Sequence, residues 1–315
     1  WQTTMEIKAN PKGESKWKGY EVVGAGEWRK LYEVPAPPKD RWLTDTVPHE
    51  FYDELCSAVD GIVFANGALN RPPQLLTIGS NVAKLKLPES LEGICTAKER
   101  AWFYHVSQEG KISLKPSLAL PVPLFAMNAK YWDAVVTHKG LMIASNERMV
   151  STFALREGEL KEWCYVRSPG FSNWPPDTHS MCLSPDQTQL YMTADGQPSI
   201  WVLKVDETKG DHEDKLSDGA PFCQLENNAE ATGLCVDTNG WLYVATSLGI
   251  QVLDQAGRVN FILPTPKPAL DVCFGGKDLS ELFIACGDTI YKRPTKAKGV
   301  VSGQQPPIKP PAPKL

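Results

Sequence analysis

Apolar and polar positions alternate in short runs along most of this chain, and Gly, Pro, Asn and Asp interrupt the runs at close intervals. Period-two alternation bounded by turn formers predicts half-buried strands joined by hairpins. Six segments share one shape: ELCSAVDGIVFAN, GICTAKERAWFYH, DAVVTHKGLMIAS, SMCLSPDQTQLYMTA, GLCVDTNGWLYVAT and DVCFGGKDLSELFIA. Each reads as strand, tight polar turn, strand, and several turns carry the Asp-Gly, Lys-Gly or Asn-Gly pairs that hairpins favour. The first segment is ambiguous, because VPHEFYDELCSAV also fits an amphipathic helix.

Cysteine sets the phase of the repeat. Cys56, Cys95, Cys182, Cys235 and Cys273 hold one position in five segments and Ala134 takes it in the remaining one, so the anchors are spaced by 39, 39, 48, 53 and 38 residues. Repeats of that period with several strands each predict a β-propeller. The expected fold is therefore all-β: a six-bladed β-propeller of four-stranded antiparallel blades over residues 46–300, closed by pairing strands from both chain ends. Within residues 1–45, an N-terminal extension, YEVVGAGEWRKLYEV would give the closing strand or strands, and DTIYKRP would meet them from the other end. Residues 301–315 form a Pro-rich tail without apolar periodicity, expected to extend outside the fold as a loose terminus, with a Pro-motif ligand as the minor alternative. The polar stretch DETKGDHEDKLSDG lies in the longest spacing and reads as an insertion on an edge loop.

Composition narrows the classes. Lys and Arg number 33 against 37 Asp and Glu, a net charge of −4, which speaks against a basic nucleic-acid-binding surface. Apolar residues at 42% supply a sizeable core. No apolar run approaches the ~20 residues of a membrane span. Eight cysteines in 315 residues fall below the density of a disulfide scaffold. The five anchor cysteines are expected as small buried hydrophobes, while one pair among Cys164, Cys223 and Cys286 stays open. The chain begins at Trp1 rather than Met, which fits removal of a targeting segment and makes export an open expectation. A monomer is expected. There is no Gly-x-Ser-x-Gly elbow, no His-Glu-x-x-His, no P-loop and no Cys-x-x-Cys. His49, His105, His138 and His212 show no ligand spacing, and His138 and His212 read as surface residues.

From SMCLSPDQTQLYMTADGQPSIWVLKV onward a family likeness emerges. GLCVDTNGWLYVAT followed by GIQVLDQAGRV, and then CFGGKDLSELFIACGDTIYKR, resemble the gluconolactonase, senescence-marker-protein-30 and luciferin-regenerating-enzyme family over roughly residues 175–295. The likeness is faint over 50–170. It implies a six-bladed propeller that holds Ca²⁺ or Zn²⁺ at one mouth of its central channel and hydrolyses lactones. In the family the metal ligands stand three residues before the anchor position. Carried over, that register gives Asp53, Glu92, Tyr131 or Trp132 depending on a one-residue offset, His179 and Thr232. His179 replaces an Asn typical of the family, and Thr232 replaces an Asp. In the last repeat Asp271 stands where many members have Asn.

A neutral Thr hydroxyl is a weak ligand for a hard cation, so the resemblance implies a site either rebuilt or lost. The rebuilt site would use Asp53, Glu92 and His179 as ligands, with Asp271 beside them, and the imidazole would shift preference from Ca²⁺ toward Zn²⁺. Lactone hydrolysis needs an attacking water and a stabilised oxyanion. Asp53, His179 and Asp271 are the candidate catalytic groups. Tyr131 and Trp132 would wall the pocket for a small ring substrate, with Asn128, Lys130 and Thr232 as polar contacts. Two alternatives stay open. One is a non-catalytic propeller that binds a ligand or protein through a degenerate site. The other is an esterase or synthase-like propeller of the paraoxonase or strictosidine-synthase kind, which would prefer aryl esters.

Overall fold

The computed structural model describes residues 26–33, 54–57, 63–66, 75–78, 91–97, 100–106, 112–116, 131–146, 150–156, 159–167, 178, 180–210, 213–217, 219–300 and 303–313. In the first two sheets and the outer strands of the third, the description is chiefly of the backbone. Within these residues the chain is all-β, apart from one turn of 3-10 helix at Glu226–Asn228. No helix among them is long and apolar enough to cross a membrane.

Six antiparallel sheets follow one another along the chain. The first holds β2 (Glu54–Ser57), β3 (Val63–Asn66) and β4 (Leu75–Ile78), and the second β5 (Leu91–Ala97), β6 (Arg100–Val106) and β7 (Ile112–Pro116). The third is a four-stranded meander of β8 (Tyr131–Val136), β9 (Leu141–Asn146), β10 (Val150–Arg156) and β11 (Glu159–Arg167). The fourth runs β12 (Met181–Leu183), β13 (Gln189–Thr193), β14 (Ser199–Lys204) and β15 (Ala220–Gln224). The fifth runs β16 (Gly233–Val236), β17 (Leu242–Thr246), β18 (Gly249–Leu253) and β19 (Val259–Leu263). The sixth combines β20 (Asp271–Gly275), β21 (Glu281–Ala285) and β22 (Thr289–Pro294) with β1 (Arg29–Glu33) as its outermost strand. Arg29 lies opposite Lys292 and Glu33 opposite Thr289, so segments from the two ends of the chain share one sheet. The polar insertion sits between β14 and β15, at the outer edge of the fourth sheet. The first segment of the repeat is a strand where it is described, not a helix: Glu54 to Ser57 pair with Asn66 to Val63.

The first strand of each sheet touches the first strand of the next. β2 meets β5, β5 meets β8, β8 meets β12, β12 meets β16, β16 meets β20, and β20 returns to β2. The arrangement is propeller-like. Its core is the set of seams between sheets, because alternate side chains of a strand point to opposite faces and each face meets a neighbouring sheet. Val135, Ile143 and Val150 of the third sheet pack on Leu183, Leu190 and Met192 of the fourth. Tyr191 and Ile200 of the fourth pack on Leu234, Val236 and Leu242 of the fifth. Tyr243, Val252 and Phe261 of the fifth pack on Phe274, Leu282 and Ile284 of the sixth. The Tyr243 and Phe274 rings meet edge to face with centroids 4.9 Å apart, the geometry their quadrupoles favour. Each such side chain contributes about 1.5–3 kcal/mol by leaving water.

The anchor cysteines share a cross-strand rule. Cys56 stands opposite Phe64, Cys95 opposite Trp102, Cys182 opposite Tyr191, Cys235 opposite Tyr243 and Cys273 opposite Phe283. A small residue on the first strand leaves room for an aromatic ring on the second. In the third sheet the slot belongs to Val135, opposite Ile143, rather than to Ala134. Two observations fix this. Thr137 N donates to Leu141 O as Asp237 N donates to Trp241 O, which equates Val135 with Cys235. The register also shifts between Tyr131 and Asp133, a bulge that a count along the sequence cannot see. Cys182, Cys223, Cys235, Cys273 and Cys286 are free thiols, so Cys223 and Cys286 are not paired with each other.

The Pro-rich C-terminal residues, expected to lie loose outside the fold, are tied to it. Ile308 N donates to Pro185 O (2.8 Å), Gln187 Nε2 to Gln304 O (2.9 Å) and Gln255 Nε2 to Pro311 O (2.7 Å).

Candidate functional site

An innermost strand has a partner on one side only, so some of its N–H groups face the open edge and need acceptors. The residue two before the anchor supplies them across the seam. Asp133 Oδ2 accepts from Met181 N of the fourth sheet at 2.7 Å. Ser180 Oγ accepts from Leu234 N of the fifth at 3.3 Å. Asp271 Oδ2 accepts from Leu55 N of the first at 2.7 Å. At the seam between the fifth and sixth sheets the equivalent residue is Gly233, which has no side chain to offer. There Asp271 turns its other oxygen, Oδ1, to its neighbour Val272 N at 2.8 Å. That carboxylate fills the space above Gly233, where a Cβ would lie 2.1 Å from Asp271 Oδ1 and 2.8 Å from its Cα. Glycine is required here for close approach. The four amides receiving these acceptors, Leu55, Met181, Leu234 and Val272, each immediately precede an anchor cysteine.

The register three before the anchor is occupied differently. Thr232 N donates to Ala245 O at 2.9 Å, and its hydroxyl lies 2.9 Å from Ala269 O and 3.1 Å from Ala245 O. The side chain thus bonds backbone of its own sheet and of the segment leading into β20. In the fourth sheet, Ser145 Oγ donates to Thr178 O at 3.1 Å while Met181 N is held by Asp133, so both flanks of His179 are fastened to the third sheet. His179 itself, like Asp53, Asn128 and Lys130, lies outside the described residues. Glu92 stands in β5, and the backbone register places it opposite His105 of β6. His105 carried no spacing signal in the sequence, although counting five residues along each arm from the Ala97–Arg100 end of the hairpin would have found it. Tyr131 begins β8, and Trp132 falls at the bulge. Three residues before Val135 is Trp132, while the bulge leaves Tyr131 as the residue paired with Asn146.

Burial pushes Cys182 and Cys235 well above the ordinary cysteine range, with Asp133 adding to the effect at Cys182, and Cys273 and Cys182 adding at Cys235. A neutral thiol neither attacks a carbonyl nor binds a metal effectively.

The donor set can be tested against the cation that the family likeness implies. Among the described residues no group of three His, Cys, Asp or Glu side chains is placed to hold a metal ion. Both oxygens of Asp271 accept backbone N–H bonds and the Thr232 hydroxyl is directed at carbonyls, so these two do not fit as ligands.

Three comparisons bear on the chain. Regucalcin from Sus scrofa is 34% identical over 77 residues, which is 23% of this chain and 26% of regucalcin, so the match spans about a quarter of that relative's length. A gluconolactonase from Xanthomonas campestris superposes with a TM-score of 0.59 at 16% identity, covering 92% of this chain and 96% of its own. A calcium-binding regucalcin from Agrobacterium tumefaciens superposes with a TM-score of 0.50 at 12% identity, covering 82% and 94%. At those identities the two structures share the fold with this chain. The family model described as SMP-30/Gluconolactonase/LRE-like region matches residues 178–287, which hold the fourth and fifth sheets and the start of the sixth. Over this stretch the chain is similar to the SMP-30/gluconolactonase/LRE-like family.

Proposed function

We propose that the six sheets are the blades of a closed six-bladed propeller and that the protein hydrolyses a sugar lactone or similar cyclic ester at the channel mouth where the innermost strands begin. The circuit of first-strand contacts, with β20 back against β2, supports the ring, and the β1–β22 pair supports closure by both chain ends. Residues 46–300 form the propeller, 1–45 contribute the closing strand, and 301–315 are the Pro-rich tail. The single observation that carries the activity is the family match over residues 178–287, the stretch that sets out the register of the mouth.

In this reading a divalent ion, Ca²⁺ or Zn²⁺, would rest on Asp53, Glu92 and His179 alone. When bound, such an ion polarises a carbonyl and lowers the pKa of a coordinated water. Asp53 would take up the proton of the attacking water with the carboxylate oxygen that does not meet the ion and return it to the leaving oxygen, and His179 would act through the ion it holds. Tyr131 and Trp132 exclude water from the ring face of the substrate, and Asn128 and Lys130 orient its polar groups. Asp271 acts by fixing β2 through Leu55 N, two residues after Asp53, and Thr232 holds the seam rather than the substrate. The substrate is a small molecule and the working unit a monomer.

A second reading is a non-catalytic, ligand-binding propeller. It is favoured by Thr232, whose hydroxyl is committed to backbone in the slot where the family has an Asp. One experiment separates the two. Purified protein is assayed on D-glucono-δ-lactone and related lactones with and without chelator, with its metal content measured alongside. Lactonase action predicts chelator-sensitive ring opening that Asp53→Ala and His179→Ala each reduce by about 100-fold or more. No chelator-sensitive opening of any lactone, with no stoichiometric metal, would leave the binding reading.

A further inference from the structure

The first hairpin of the fifth sheet carries a carboxyl where its neighbours carry a hydroxyl. The residue two after the anchor closes this hairpin by accepting an N–H from across the turn. Thr137 Oγ1 does so for Leu141 N at 3.1 Å in the third sheet, and Ser184 Oγ for Gln189 N at 3.0 Å in the fourth. In the fifth sheet Asp237 holds that place. Its Oδ1 accepts from Asn239 N and Trp241 N, both at 2.9 Å, and its Oδ2 from Tyr243 Oη at 3.1 Å. A neutral hydroxyl is enough for the turn, so an ionisable group here calls for another reason. Asp237 is 0% exposed and all its bonding partners are neutral. A buried charge without a counter-ion is costly, and burial lifts the pKa of this carboxyl to about 7.

The residues after β22 lie against the strand end that bears this carboxyl. Thr238 N donates to Lys298 O (2.8 Å) and Val300 N to Val236 O (3.3 Å), which pairs Gly299 with Asp237 in an antiparallel bridge. Gly299 N in turn donates to Leu279 O (2.8 Å) of the β20–β21 hairpin, so residues 298–300 stitch the fifth sheet to the sixth. Gly299 is seated directly on Phe274: a Cβ there would lie 2.1 Å from the Phe274 Cβ. The Phe274 ring meets the Tyr243 ring, and the Tyr243 hydroxyl bonds Asp237. Carboxyl, phenol, phenyl ring and Gly299 form one closed circuit of contacts.

The other titratable groups around this circuit supply no counter-charge. Burial pushes Cys235 and Tyr243, on the same sheet, well above their ordinary ranges, so both are neutral, and Cys273 of β20 is a buried free thiol. Lys296 and Lys298 beside Gly299, and Lys277 and Asp278 on the β20–β21 hairpin, are exposed. Asp254 of the β18–β19 hairpin is paired with Arg258 (2.8 Å), and Asp186 of the β12–β13 hairpin is bonded to Ser184 and Thr188. We propose that residues 298–300 are a proton-operated latch, docked between the fifth and sixth sheets while Asp237 carries its proton and released as Asp237 ionises. An ionised carboxyl regains water only if something covering it leaves, and Gly299 is the neighbour of Asp237 that belongs to no sheet. Docking and protonation then favour one another by linkage. The latch is independent of any activity at the channel mouth.

The test uses the full chain. Hydrogen exchange at the amides of Thr238, Gly299 and Val300, corrected for its intrinsic pH dependence, is followed by NMR from acid to mildly alkaline pH. The amides of β17 and β18 and the titration of the Asp237 carboxyl are followed alongside. The latch predicts that the three amides are less protected than β17 and β18 at every pH. Their protection should fall about tenfold per pH unit up to the Asp237 midpoint and level off above it. Asp237→Asn, which keeps the neutral shape and can make the same bonds, should hold their protection flat over that range. Gly299→Ala, which forces the segment off Phe274, should bring the Asp237 titration down toward the ordinary carboxylate range. Protection that stays flat in the parent while Asp237 titrates near neutrality would overturn the latch. So would protection equal to that of β17 and β18 throughout, which would mean that the proton leaves only on global unfolding, or an Asp237 titration unmoved in folded Gly299→Ala. Should Gly299→Ala fail to fold, the parent and Asp237→Asn decide the matter by themselves.

Discussion

The seam between the fifth and sixth sheets offers the sharpest test of how the innermost strands are held. Replacing Gly233 with Ala would place a Cβ 2.1 Å from Asp271 Oδ1, 2.8 Å from its Cα and 2.9 Å from its Cγ. One of those atoms is backbone, so rotating the Asp271 side chain relieves only part of the clash. The carboxylate has to leave, and Leu55 N and Val272 N lose acceptors that now lie at 2.7 and 2.8 Å. A hydrogen bond to a charged group is worth about 1.5–3 kcal/mol, and overpacking a tight site costs about 1–3 kcal/mol. Since the two bonds share one carboxylate, a total near 4 kcal/mol is expected for Gly233→Ala. At an unfolding entropy of about 2.1 cal/mol/K per residue, a chain of this length has roughly 0.6–0.7 kcal/mol/K, so its melting temperature should fall by about 6 °C. Asp271→Ala should cost about 3 kcal/mol by losing the same two bonds. The double variant should then be little worse than Gly233→Ala, because the bonds removed by the second change are already broken. Urea unfolding of the four proteins, followed by tryptophan fluorescence, measures this coupling. Additivity of the two single effects to within about 0.5 kcal/mol, or a neutral Gly233→Ala, would refute the seam as described.

Two further predictions concern buried polar groups. Asp237 is fully buried in the β16–β17 turn and accepts from Asn239 N, Trp241 N and Tyr243 Oη; burial nonetheless pushes its pKa up from 3.8 to about 7. The folded state therefore holds a proton that the unfolded chain has released, and stability contributed by this group falls as pH rises from about 4 through about 7, by up to ~1.4 kcal/mol per pH unit. Asp237→Asn should flatten that fall, read as the difference between the two proteins in urea midpoint at pH 5 and pH 8; identical pH profiles would contradict it. Thr232→Val should cost about 1–2 kcal/mol in the same measurement by leaving the Ala269 and Ala245 carbonyls without the hydroxyl, and should leave KM for any lactone unchanged; a raised KM without loss of stability would return Thr232 to the substrate pocket.

Much of the fold was legible because the first strands of five of the six sheets face the same packing problem. A small residue must stand opposite a ring, and cysteine answers it at Cys182 against Tyr191, Cys235 against Tyr243 and Cys273 against Phe283. That recurrence sets the period of the repeat. The third sheet was misphased by one residue because it lacks the cysteine that marks the slot in the other five: Val135 stands there, opposite Ile143. The C-terminal segment was misread for a different reason. Its composition shows no periodicity because its order comes from bonds to Pro185, His138, Gln187 and Gln255, all of them more than fifty residues away. Long-range partners leave no local pattern. The same blindness hid the bond between the Asp271 carboxylate and Leu55 N, 216 residues earlier in the chain.

These seams also separate two kinds of polar residue that the sequence presents as one cluster. An innermost strand must cap its open-edge amides, and the position two before the anchor serves that need: Asp133, Ser180 and Asp271 cap Met181, Leu234 and Leu55, and Gly233 is tolerated only because Asp271 caps Val272 as well. A carboxylate used this way is held by backbone, and its geometry serves the ring. Chemistry at the mouth, if it follows the family, has to come from the position one residue earlier. Thr232 holds that position in the fifth sheet and bonds carbonyls instead. In the proposed reading this narrows the mouth to Asp53, Glu92, Tyr131 or Trp132, and His179: two carboxylates, an aromatic ring and an imidazole. The third sheet also fastens Thr178 and Met181, on either side of His179, and in the proposed reading this holds the imidazole in place for a ligand.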